Sequence, residues 1–247
     1  MKFDLSERDR PFIIAEAGTC HAAKDFQSRQ DLMLGYIKAA TDIGVDAIKF
    51  QLFKTPIKED MFCWIDGDEE RSKRWAQSEL PYDAWAHASF NLNRRAKPIF
   101  LASVFQDSTV EWVKEMRLSA VKVASRAASR FPYGALSVPH LISHGMEPPP
   151  ALPDETPQFS TYNLECESVY PSTARWEGSH LGFSDHSGNP DRAIDAMNRG
   201  CKLVEVHFYV DRQDAGPDEP ASLNLDQLRE VCAARDALSK EKEKNVA

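Results

Sequence analysis

Two histidines, His186 and His207, have the residue type and the spacing to share a metal ion. Each lies at the carboxyl end of a short apolar segment, HLGFSDH for His186 and CKLVEVHF for His207. The chain between the two segments has the pattern of one amphipathic helix, which begins at an NPD run and ends at an RG pair. In such a strand–helix–strand unit the carboxyl ends of both strands lie at one edge of a parallel sheet. Two imidazoles at that edge suit a divalent metal. The simpler alternative is that each histidine only hydrogen-bonds a neighbour.

Eight strand candidates follow one another along the chain. They are PFIIAE, VDAIKFQLF, KPIFLAS, SAVKVAS, PHLISHGM, STYNLEC, HLGFSDH and CKLVEVHF. Helical periodicity occupies residues 28–43, 82–95, 106–116 and 225–240, with Gly44 as a natural terminator of the first helix. The segment from Lys54 to Ser78 is predicted to be a polar excursion. Eight strands with mostly helical connections predict an α/β protein, one (β/α)8 TIM barrel domain spanning 1–247.

Two connections depart from the regular barrel. The segment EPPPALPDETPQ, between the fifth and sixth strands, carries five prolines, and ESVYPSTARWEGS, after the sixth strand, is short and rich in turn residues. These patterns predict reduced or missing fifth and sixth helices, whereas FPYGALSV after the fourth strand is predicted to be a compressed helix. The apolar strands LISH and YNLEC would then need another cover, so we hypothesise a partner subunit in a homo-oligomer.

Composition narrows the classes of function. The 247 residues, 42% of them hydrophobic, can bury the core of a single domain, and the net charge of −8 argues against nucleic acid as a partner. No apolar run is long enough to span a membrane, and the charged N-terminus does not resemble a secretory signal. Five scattered cysteines without a CxxC pair indicate reduced thiols. We therefore expect a cytoplasmic protein that acts on a small molecule without a membrane partner.

The segments GFSDH, EVHF and GPDEPAS resemble, in order and spacing, the GxSDH, ExHF and GPDxxxS motifs of the sialic acid synthase (N-acetylneuraminate synthase) family. Further upstream, AEAGTCH is similar to AEIGxNH, KFQ to KFQ, LASVF to STPF, VKVAS to YKIAS, LISHGM to LSTGM and ECESVYP to HCxxxYP. The resemblance covers the catalytic barrel, and the sequence stops before that family's C-terminal antifreeze-like domain. It implies a transferase that condenses phosphoenolpyruvate with a sugar aldehyde such as N-acetylmannosamine and releases phosphate.

The resemblance also assigns roles to the residues at the matching positions. It implies Glu16, His207 and Asp218 as catalytic residues, with His186 and His207 holding a divalent metal. Mn²⁺ is the expected ion, and Mg²⁺, Zn²⁺ or Fe²⁺ are alternatives. The substrate contacts that it implies are His21, Lys49, Gln51, Ser103, Lys122, Ser125, Ser143, Ser168 and Ser184.

This selection of residues also makes chemical sense. A small molecule with both a phosphate and a carboxylate needs several cationic and hydroxyl donors that converge from different strands. A structural alternative exists for each residue taken singly, because a strand lysine can pair with Glu16 or Glu205, and a serine at a strand end can cap a helix. An ordered set across seven strands makes coincidence a poor explanation.

Cys20 carries a separate hypothesis. The related 3-deoxy-octulosonate and 3-deoxy-heptulosonate phosphate synthases place a metal-binding cysteine in an AGPC-like turn, which AGTC resembles. Cys20 would then join His186 and His207, with Asp218 or Glu205, and would favour a softer metal such as zinc or iron. The alternative is a buried free thiol.

Three departures from the family pattern concern the sugar that accepts phosphoenolpyruvate. The sequence stops before the antifreeze-like domain, the stretch after the first strand is CHAAKD instead of NHxG, and the shortened fifth and sixth connections border the acceptor pocket. Ser168 also stands where an asparagine often helps to hold the substrate. The acceptor is therefore open. Two other classes of function also remain: a metal-dependent aldolase or hydrolase barrel acting on another anion, and a non-catalytic barrel kept for binding or assembly.

Overall fold

The computed structural model describes residues 3–5, 8–65, 67–95, 98–148 and 160–246. Eight parallel strands form the barrel, each paired with the next, and β8 pairs with β1 to close it. A short ninth strand, β9 (Ser222–Leu223), pairs with β8. The strands of the barrel are β1 (Phe12–Gly18), β2 (Ala47–Leu52), β3 (Ile99–Val104), β4 (Val121–Val123), β5 (His140–His144), β6 (Thr161–Cys166), β7 (Gly182–Asp185) and β8 (Leu203–Phe208). The predicted (β/α)8 barrel is confirmed.

Six α-helices lie in the described part of the chain: α1 (Phe26–Ile43), α2 (Glu69–Gln77), α3 (Tyr82–Arg95), α4 (Asp107–Glu115), α5 (Pro190–Asn198) and α6 (Leu225–Val246). The helices predicted around α1, α3, α4, α5 and α6 are present, and Gly44 ends α1 with a φ of 82°. None of these helices has both the length and the hydropathy needed to cross a membrane.

Helix α2 corrects the prediction of a polar excursion from Lys54 to Ser78. It is nine residues long, with acidic residues in its first turn and Arg74 in its last. Charges at these positions interact favourably with the helix dipole and stabilise the helix. Trp75 is its buried anchor. Two turns are too short for apolar periodicity to stand out among so many charges, which is why the pattern was missed.

The helix-poor side of the barrel extends further than expected. After β4 the compressed helix predicted at FPYGALSV is present only as a single 3-10 turn, Tyr133–Ala135, and a second 3-10 turn, Ser125–Ala127, precedes it; Pro132 and Pro139 limit the length of the first. No helix occurs among residues 145–148 or 167–181. The missing helix after β6 is thus confirmed, whereas the prediction for the connection after β5 falls mostly on residues 149–159, which lie outside the described part of the chain.

A carboxylate replaces the missing helix after β6. Glu165 accepts hydrogen bonds from the backbone N–H groups of Glu177, Ser179 and His180 at 2.7, 2.6 and 3.1 Å. The Trp176 indole donates to the carbonyl of His180 at 2.9 Å. These bonds satisfy backbone groups that would otherwise need a helix or water, so the connection is ordered without regular structure.

Residue alternation along the strands explains why one end of the barrel interior is apolar and the other polar. Near the amino ends of the strands the inward side chains belong to one apolar cluster, which Phe3 and Leu5 complete from below; among its members are Phe12, Ile14, Ala47, Ile99, Leu101, Leu141, Leu164 and Leu203. Two residues further along, the same faces carry polar groups, including Glu16, Lys49, Ser103, Ser143, Ser184 and Glu205. The polar layer therefore lies at the carboxyl ends of the strands, over a closed apolar base.

Candidate active site

A cavity of about 520 Å³ opens at the carboxyl ends of the strands. The inward-facing polar residues line it, and so do the loops after β1, β2, β6 and β8. Of the residues predicted for the site, the structure brings together Glu16, Lys49, Gln51, Ser103, Lys122, Ser125, Ser143, Ser168, Ser184, His186, His207 and Asp218. They come from seven of the eight strands and from the loops that follow strands, which is why no short segment of the sequence contains the site.

His21 is the predicted site residue that the structure places elsewhere. It is buried outside the cavity, where its Nε2 lies 2.7 Å from the carbonyl oxygen of Ser78. Its ring makes edge contacts with Phe50 and Trp85. Burial lowers its pKa to about 4, so it is neutral. Its surroundings give it a packing role, because the turn after β1 directs this side chain outward between the barrel and its helices.

Two lysine–serine pairs form the floor of the cavity. The ammonium of Lys49 donates to the hydroxyl of Ser103 at 2.7 Å, and that of Lys122 donates to Ser143 at the same distance. Glu205 lies between the lysines, 3.7 Å from each ammonium. The two pairs sit on neighbouring strands, β2 with β3 and β4 with β5, so strand register sets their separation.

The two carboxylates of the floor differ in their protonation. Burial raises the pKa of Glu16 to about 7, although Lys49 lies 2.7 Å away and opposes the shift. Burial also disfavours the ionised form of Glu205, but the ammonium groups of Lys122 and Lys49 outweigh it and hold this pKa low. A hydroxyl bond from Ser184 at 2.9 Å adds to that effect. The two ammonium groups thus favour the ionised form of Glu205, whereas burial favours the protonated form of Glu16 and brings its pKa close to neutral pH.

His186 and His207 lie together, with ring centroids 5.2 Å apart. Nδ1 of His186 donates to the carbonyl of Glu167 at 2.8 Å, which leaves a lone pair on Nε2, 3.2 Å from the Tyr170 hydroxyl. Burial lowers the pKa of His186 to about 4 and also lowers that of His207. Two neutral imidazoles, one oriented by a backbone carbonyl, are in the form that binds a metal ion.

The rest of the donor set matches a metal with open coordination positions. Within the residues that the structure describes, no group of three or more histidine, cysteine, aspartate or glutamate side chains could hold an ion. Asp218, the nearest acid, has its carboxylate 3.9 Å from Nδ1 of His207. Two imidazoles fit an ion whose other ligands are water or substrate oxygens, as in a catalytic site, and do not fit a closed structural site.

The hypothesis that Cys20 joins this pair is not supported. Its thiol is buried outside the cavity, 3.8 Å from the carbonyl oxygen of Phe208, and burial raises its pKa to about 12. The cysteine that lines the cavity is Cys166, whose sulfur lies 3.7 Å from Nδ1 of His186. The AGTC turn directs Cys20 towards α1, where Tyr36 packs, and away from the histidines.

Several residues that line the cavity were not singled out from the sequence. Tyr170 stacks on His186 with ring centroids 4.4 Å apart, and its position in the quoted ECESVYP segment was the available signal. Phe53 stacks between Trp75 and Phe105 at 5.1 and 5.3 Å and forms an apolar wall. Arg71, Arg74 and Arg126 complete the lining. Only the i, i+3 spacing of Arg71 and Arg74 hinted that they share a face.

The fold and the cavity define the class of protein: a (β/α)8 barrel with a charged cavity at the carboxyl ends of its strands, where barrels of this fold carry their active sites. Within that class, the chain belongs to the NeuB family, which it matches over residues 36–149 and 157–246.

Individual relatives agree with the family. The spore coat polysaccharide biosynthesis protein SpsE of Bacillus subtilis is 29% identical over 258 residues, which cover 91% of this chain and 66% of SpsE. An N,N'-diacetyllegionaminic acid synthase of Campylobacter jejuni is 26% identical, with 90% of this chain and 75% of that protein covered. The crystal structure of an N-acetylneuraminic acid synthetase from Leptospira borgpetersenii, in complex with citrate, has a TM-score of 0.73 at 22% identity and covers 97% of this chain and 89% of that one. This last likeness concerns the fold. The chain spans just under two thirds of the length of SpsE.

Proposed function

We propose that this protein is a transferase that condenses phosphoenolpyruvate with a sugar aldehyde similar to N-acetylmannosamine. The product would be a sialic-acid-like 2-keto-3-deoxy sugar acid, formed with release of phosphate. The observation that carries the proposal is the floor of two lysine–serine pairs beside a carboxyl with a raised pKa. Membership of the NeuB family supports it, because relatives of this chain include synthases of legionaminic and pseudaminic acid.

The floor suits a small molecule with two anionic ends. Each lysine–serine pair offers an ammonium and a hydroxyl to one anionic group, and the two pairs enter from different strands. A third pair consists of two hydroxyls, Ser125 and Ser168, whose oxygens lie 2.5 Å apart. Phosphoenolpyruvate carries its carboxylate and its phosphate on the same carbon, C2, so it can contact two such groups at once. Hydrogen bonds from charged donors make this binding strong and oriented.

The proposed reaction needs one proton acceptor and one well-placed water. C3 of phosphoenolpyruvate bonds to the aldehyde carbon, the aldehyde oxygen takes a proton from solvent, and water adds to C2 as it gives up one proton. The C2–O bond to phosphate then breaks while the new C2 hydroxyl becomes the ketone, and the proton of that hydroxyl leaves on the phosphate. Glu16 would hold that water and take its proton, since its pKa of about 7 leaves much of it ionised at neutral pH. His207 lies beside Glu16 on the neighbouring strand β8, and Asp218 follows in the loop after β8; these two side chains would face the acceptor oxygen.

A divalent metal belongs to this proposal, with Mn²⁺ the expected ion. His186 and His207 would hold it, and Mg²⁺, Zn²⁺ and Fe²⁺ are the alternatives. When bound, such an ion supplies Lewis-acid polarisation of a carbonyl oxygen. This chain's own contribution is to keep both imidazoles neutral and to orient His186 through the carbonyl of Glu167.

The test is phosphate release from phosphoenolpyruvate with Mn²⁺ and a panel of aldoses and N-acetylated aldoses. We expect release that requires an aldose and falls at least about a hundredfold in His207→Ala, with loss of bound metal measured by mass spectrometry. His87→Ala, an exposed histidine of α3, is the matched control and should retain activity. Product mass identifies the acceptor.

Other outcomes would contradict the proposal. Metal-dependent turnover without any need for phosphoenolpyruvate would favour an aldolase or hydrolase. Phosphoenolpyruvate binding without phosphate release, in folded and metal-loaded protein, would favour a non-catalytic barrel. The homo-oligomer and the cytoplasmic location stay predictions, the first to be tested by light scattering.

A further inference from the structure

The rim of the cavity carries three guanidinium groups that the proposed reaction does not use. Arg71 and Arg74 lie one turn apart on α2, beside Trp75, and Arg126 follows Ser125 at the end of β4. All three line the same cavity as the floor residues. Arg71 is mostly in water, with 68% of its side chain exposed, whereas 15% of Arg126 is exposed. The floor lysines, in contrast, are almost completely buried.

The rim has more positive than negative charge. In the part of the chain that the structure describes, Asp68 is the only carboxylate within ion-pair distance of the three arginines, since it pairs with Arg126 and lies 4.0 Å from Arg71. Arg74 instead donates to neutral groups, the hydroxyl and carbonyl of Thr19 and the carbonyl of Asp214. Three cations therefore share one anion at the mouth of a cavity in a chain of net charge −8.

Arg126 has capacity left for a ligand. Its terminal nitrogens bond to Asp68 and to the carbonyl of Cys63, but its buried Nε has no hydrogen-bond partner among the described residues. The guanidinium also lies over the ring of Trp75, 5.5 Å from the centroid. A planar cation held in place by stacking, with a donor unused, is ready to accept an anion.

The positions of the strands decide which substrate reaches this rim. The apolar base closes the barrel below the floor, so any part of the acceptor beyond its aldehyde must extend towards the mouth. His186 and His207 follow β7 and β8, while Arg126 follows β4, which lies across the barrel from β8. An acceptor whose aldehyde end reaches the histidines therefore crosses the mouth towards α2 and Arg126.

We propose that the acceptor carries an anionic group, a phosphate or a carboxylate, at the end remote from its aldehyde, and that Arg71 and Arg126 bind this group. The inference rests on the proposed function, because it assigns the floor to phosphoenolpyruvate and the rim to the acceptor. Arg74 adds to the positive field and fixes the wall through its bonds to the loops after β1 and β8. The stacked Phe53, Trp75 and Phe105 supply an apolar surface for the carbon chain between the two ends.

The experiment compares matched sugars in the Mn²⁺-loaded protein with phosphoenolpyruvate. The neutral members are mannose and N-acetylmannosamine, the phosphorylated members are their 6-phosphates, and mannuronate tests a carboxylate. We expect kcat/KM for an anionic member to exceed that of its neutral counterpart by about tenfold or more, as one charge-assisted contact supplies. The better of the two anions shows which group the rim takes.

Variants of α2 identify the arginine contribution. Arg71→Met should raise the KM for the anionic acceptor about tenfold and leave the KM for phosphoenolpyruvate unchanged, while Arg71→Lys should keep most of the preference. Lys73→Met removes one charge from the same helix at a residue that does not line the cavity, so it should change neither constant. Calorimetric titration of the same sugars into the phosphoenolpyruvate-loaded protein measures the preference without turnover.

Three results would overturn the inference. Equal or better use of neutral sugars, with phosphoenolpyruvate consumed, would refute the anionic acceptor and leave the proposed function standing. A rise in the KM for phosphoenolpyruvate in Arg71→Met would assign the rim to that substrate instead. No consumption with any sugar would refute the proposed function and with it the acceptor; anion-selective binding in the calorimeter would then mark a site for another ligand.

Discussion

The floor and the rim of the cavity hold their charges in different ways. On the floor, Lys49 and Lys122 are buried and balanced by Glu16 and Glu205, and strand register fixes all four. On the rim, Arg71 extends from a short helix into water. A buried, balanced set suits the reacting atoms, because a small displacement there is costly. Exposed arginines without matching carboxylates can be replaced when the substrate differs, because few other residues depend on them. The difference predicts large effects for floor variants and modest effects for rim variants.

The largest effect is expected for Lys122→Met. Removal of this ammonium leaves Glu205 buried with one cation fewer, which should destabilise the protein by roughly 3 kcal/mol. We also expect kcat/KM for phosphoenolpyruvate to fall at least about a thousandfold, since a charged anchor of the substrate is lost. Chemical denaturation and steady-state kinetics measure the two losses. If Lys122→Met lowered stability and kcat/KM no more than Arg71→Met does, the proposed difference between floor and rim would be wrong.

A double variant separates stability from chemistry on the floor. Lys122→Met combined with Glu205→Gln removes both charges, so part of the lost stability should return because no uncompensated carboxylate remains. Activity should stay low, because the phosphoenolpyruvate anchor is still missing. Recovery of both stability and activity would show that Lys122 serves only to balance Glu205.

Because of Glu16, we expect kcat/KM to depend on pH, and we expect variants of the rim arginines to leave this dependence unchanged. With a pKa of about 7, it loses its ionised form as the pH falls, so kcat/KM should decrease below about pH 7. Glu16→Gln should lower kcat about a hundredfold and abolish that limb of the profile. Arg71→Met should keep the limb. A wild-type profile that is flat between pH 5.5 and 8, roughly one unit or more on either side, would rule out this role.

The same shift has a consequence for stability. The pKa of Glu16 is raised above its ordinary value of 4.5, so the folded protein holds this proton more tightly than the unfolded chain. The protonated Glu16 carboxyl therefore contributes fully to the free energy of unfolding below pH 4.5, and this contribution is lost as the pH rises through about 7. Comparing the denaturation of wild type and Glu16→Gln across this range should show the difference growing with pH.

Gly216→Ala tests the loop that carries Asp218, between floor and rim. Gly216 has a φ of 59°, and an added Cβ would overlap the guanidinium of Arg74. We expect a loss of about 1–2 kcal/mol and a roughly tenfold decrease in kcat as Asp218 moves. Gly35→Ala in α1, where nothing lies within 4 Å of the new Cβ, should instead be neutral or slightly stabilising. Equal effects of the two substitutions would refute a role for this contact.

The smallest effect on activity is expected outside the cavity. Glu165→Gln weakens the three backbone hydrogen bonds that order the connection after β6, at a cost of about 1–2 kcal/mol. Hydrogen exchange at residues 177–180 should accelerate, while kcat should change less than about threefold, because these bonds lie on the outer side of β6. A large decrease in kcat would show that this connection shapes the acceptor pocket.

Much of the fold followed from local pattern. The period-two alternation of segments such as FIIAE and AIKFQL predicts which side chains share a face, and a closed barrel turns that face inward. Among the described residues, prolines flank the 3-10 turn at Tyr133–Ala135 after β4, and the segment after β6, rich in turn residues, contains no helix. In the segment before α3 the charges concealed α2, since nine residues offer too little periodicity.

Within the candidate site, too, residues on strands were easier to predict from the sequence than residues on loops. Residues that face inward from strands, such as Lys49, Lys122 and Ser184, could be listed from the sequence because strand alternation fixes their direction. Loop residues are harder to place: Cys20 and His21 follow β1 yet lie outside the cavity. The direction of a loop side chain depends on a few backbone angles that no periodicity encodes.

The sequence by itself determined the barrel, its polar carboxyl end and the order of the residues on its floor, because these depend on alternation within single strands. Only the tertiary structure decided that Glu205 balances two lysines, that Glu16 is left with a raised pKa and that α2 brings Arg71 and Arg74 over the mouth. Each of these depends on distances between segments far apart in the chain. Electrostatic energies change with distance and burial, so they take their values only when the strands and loops have packed.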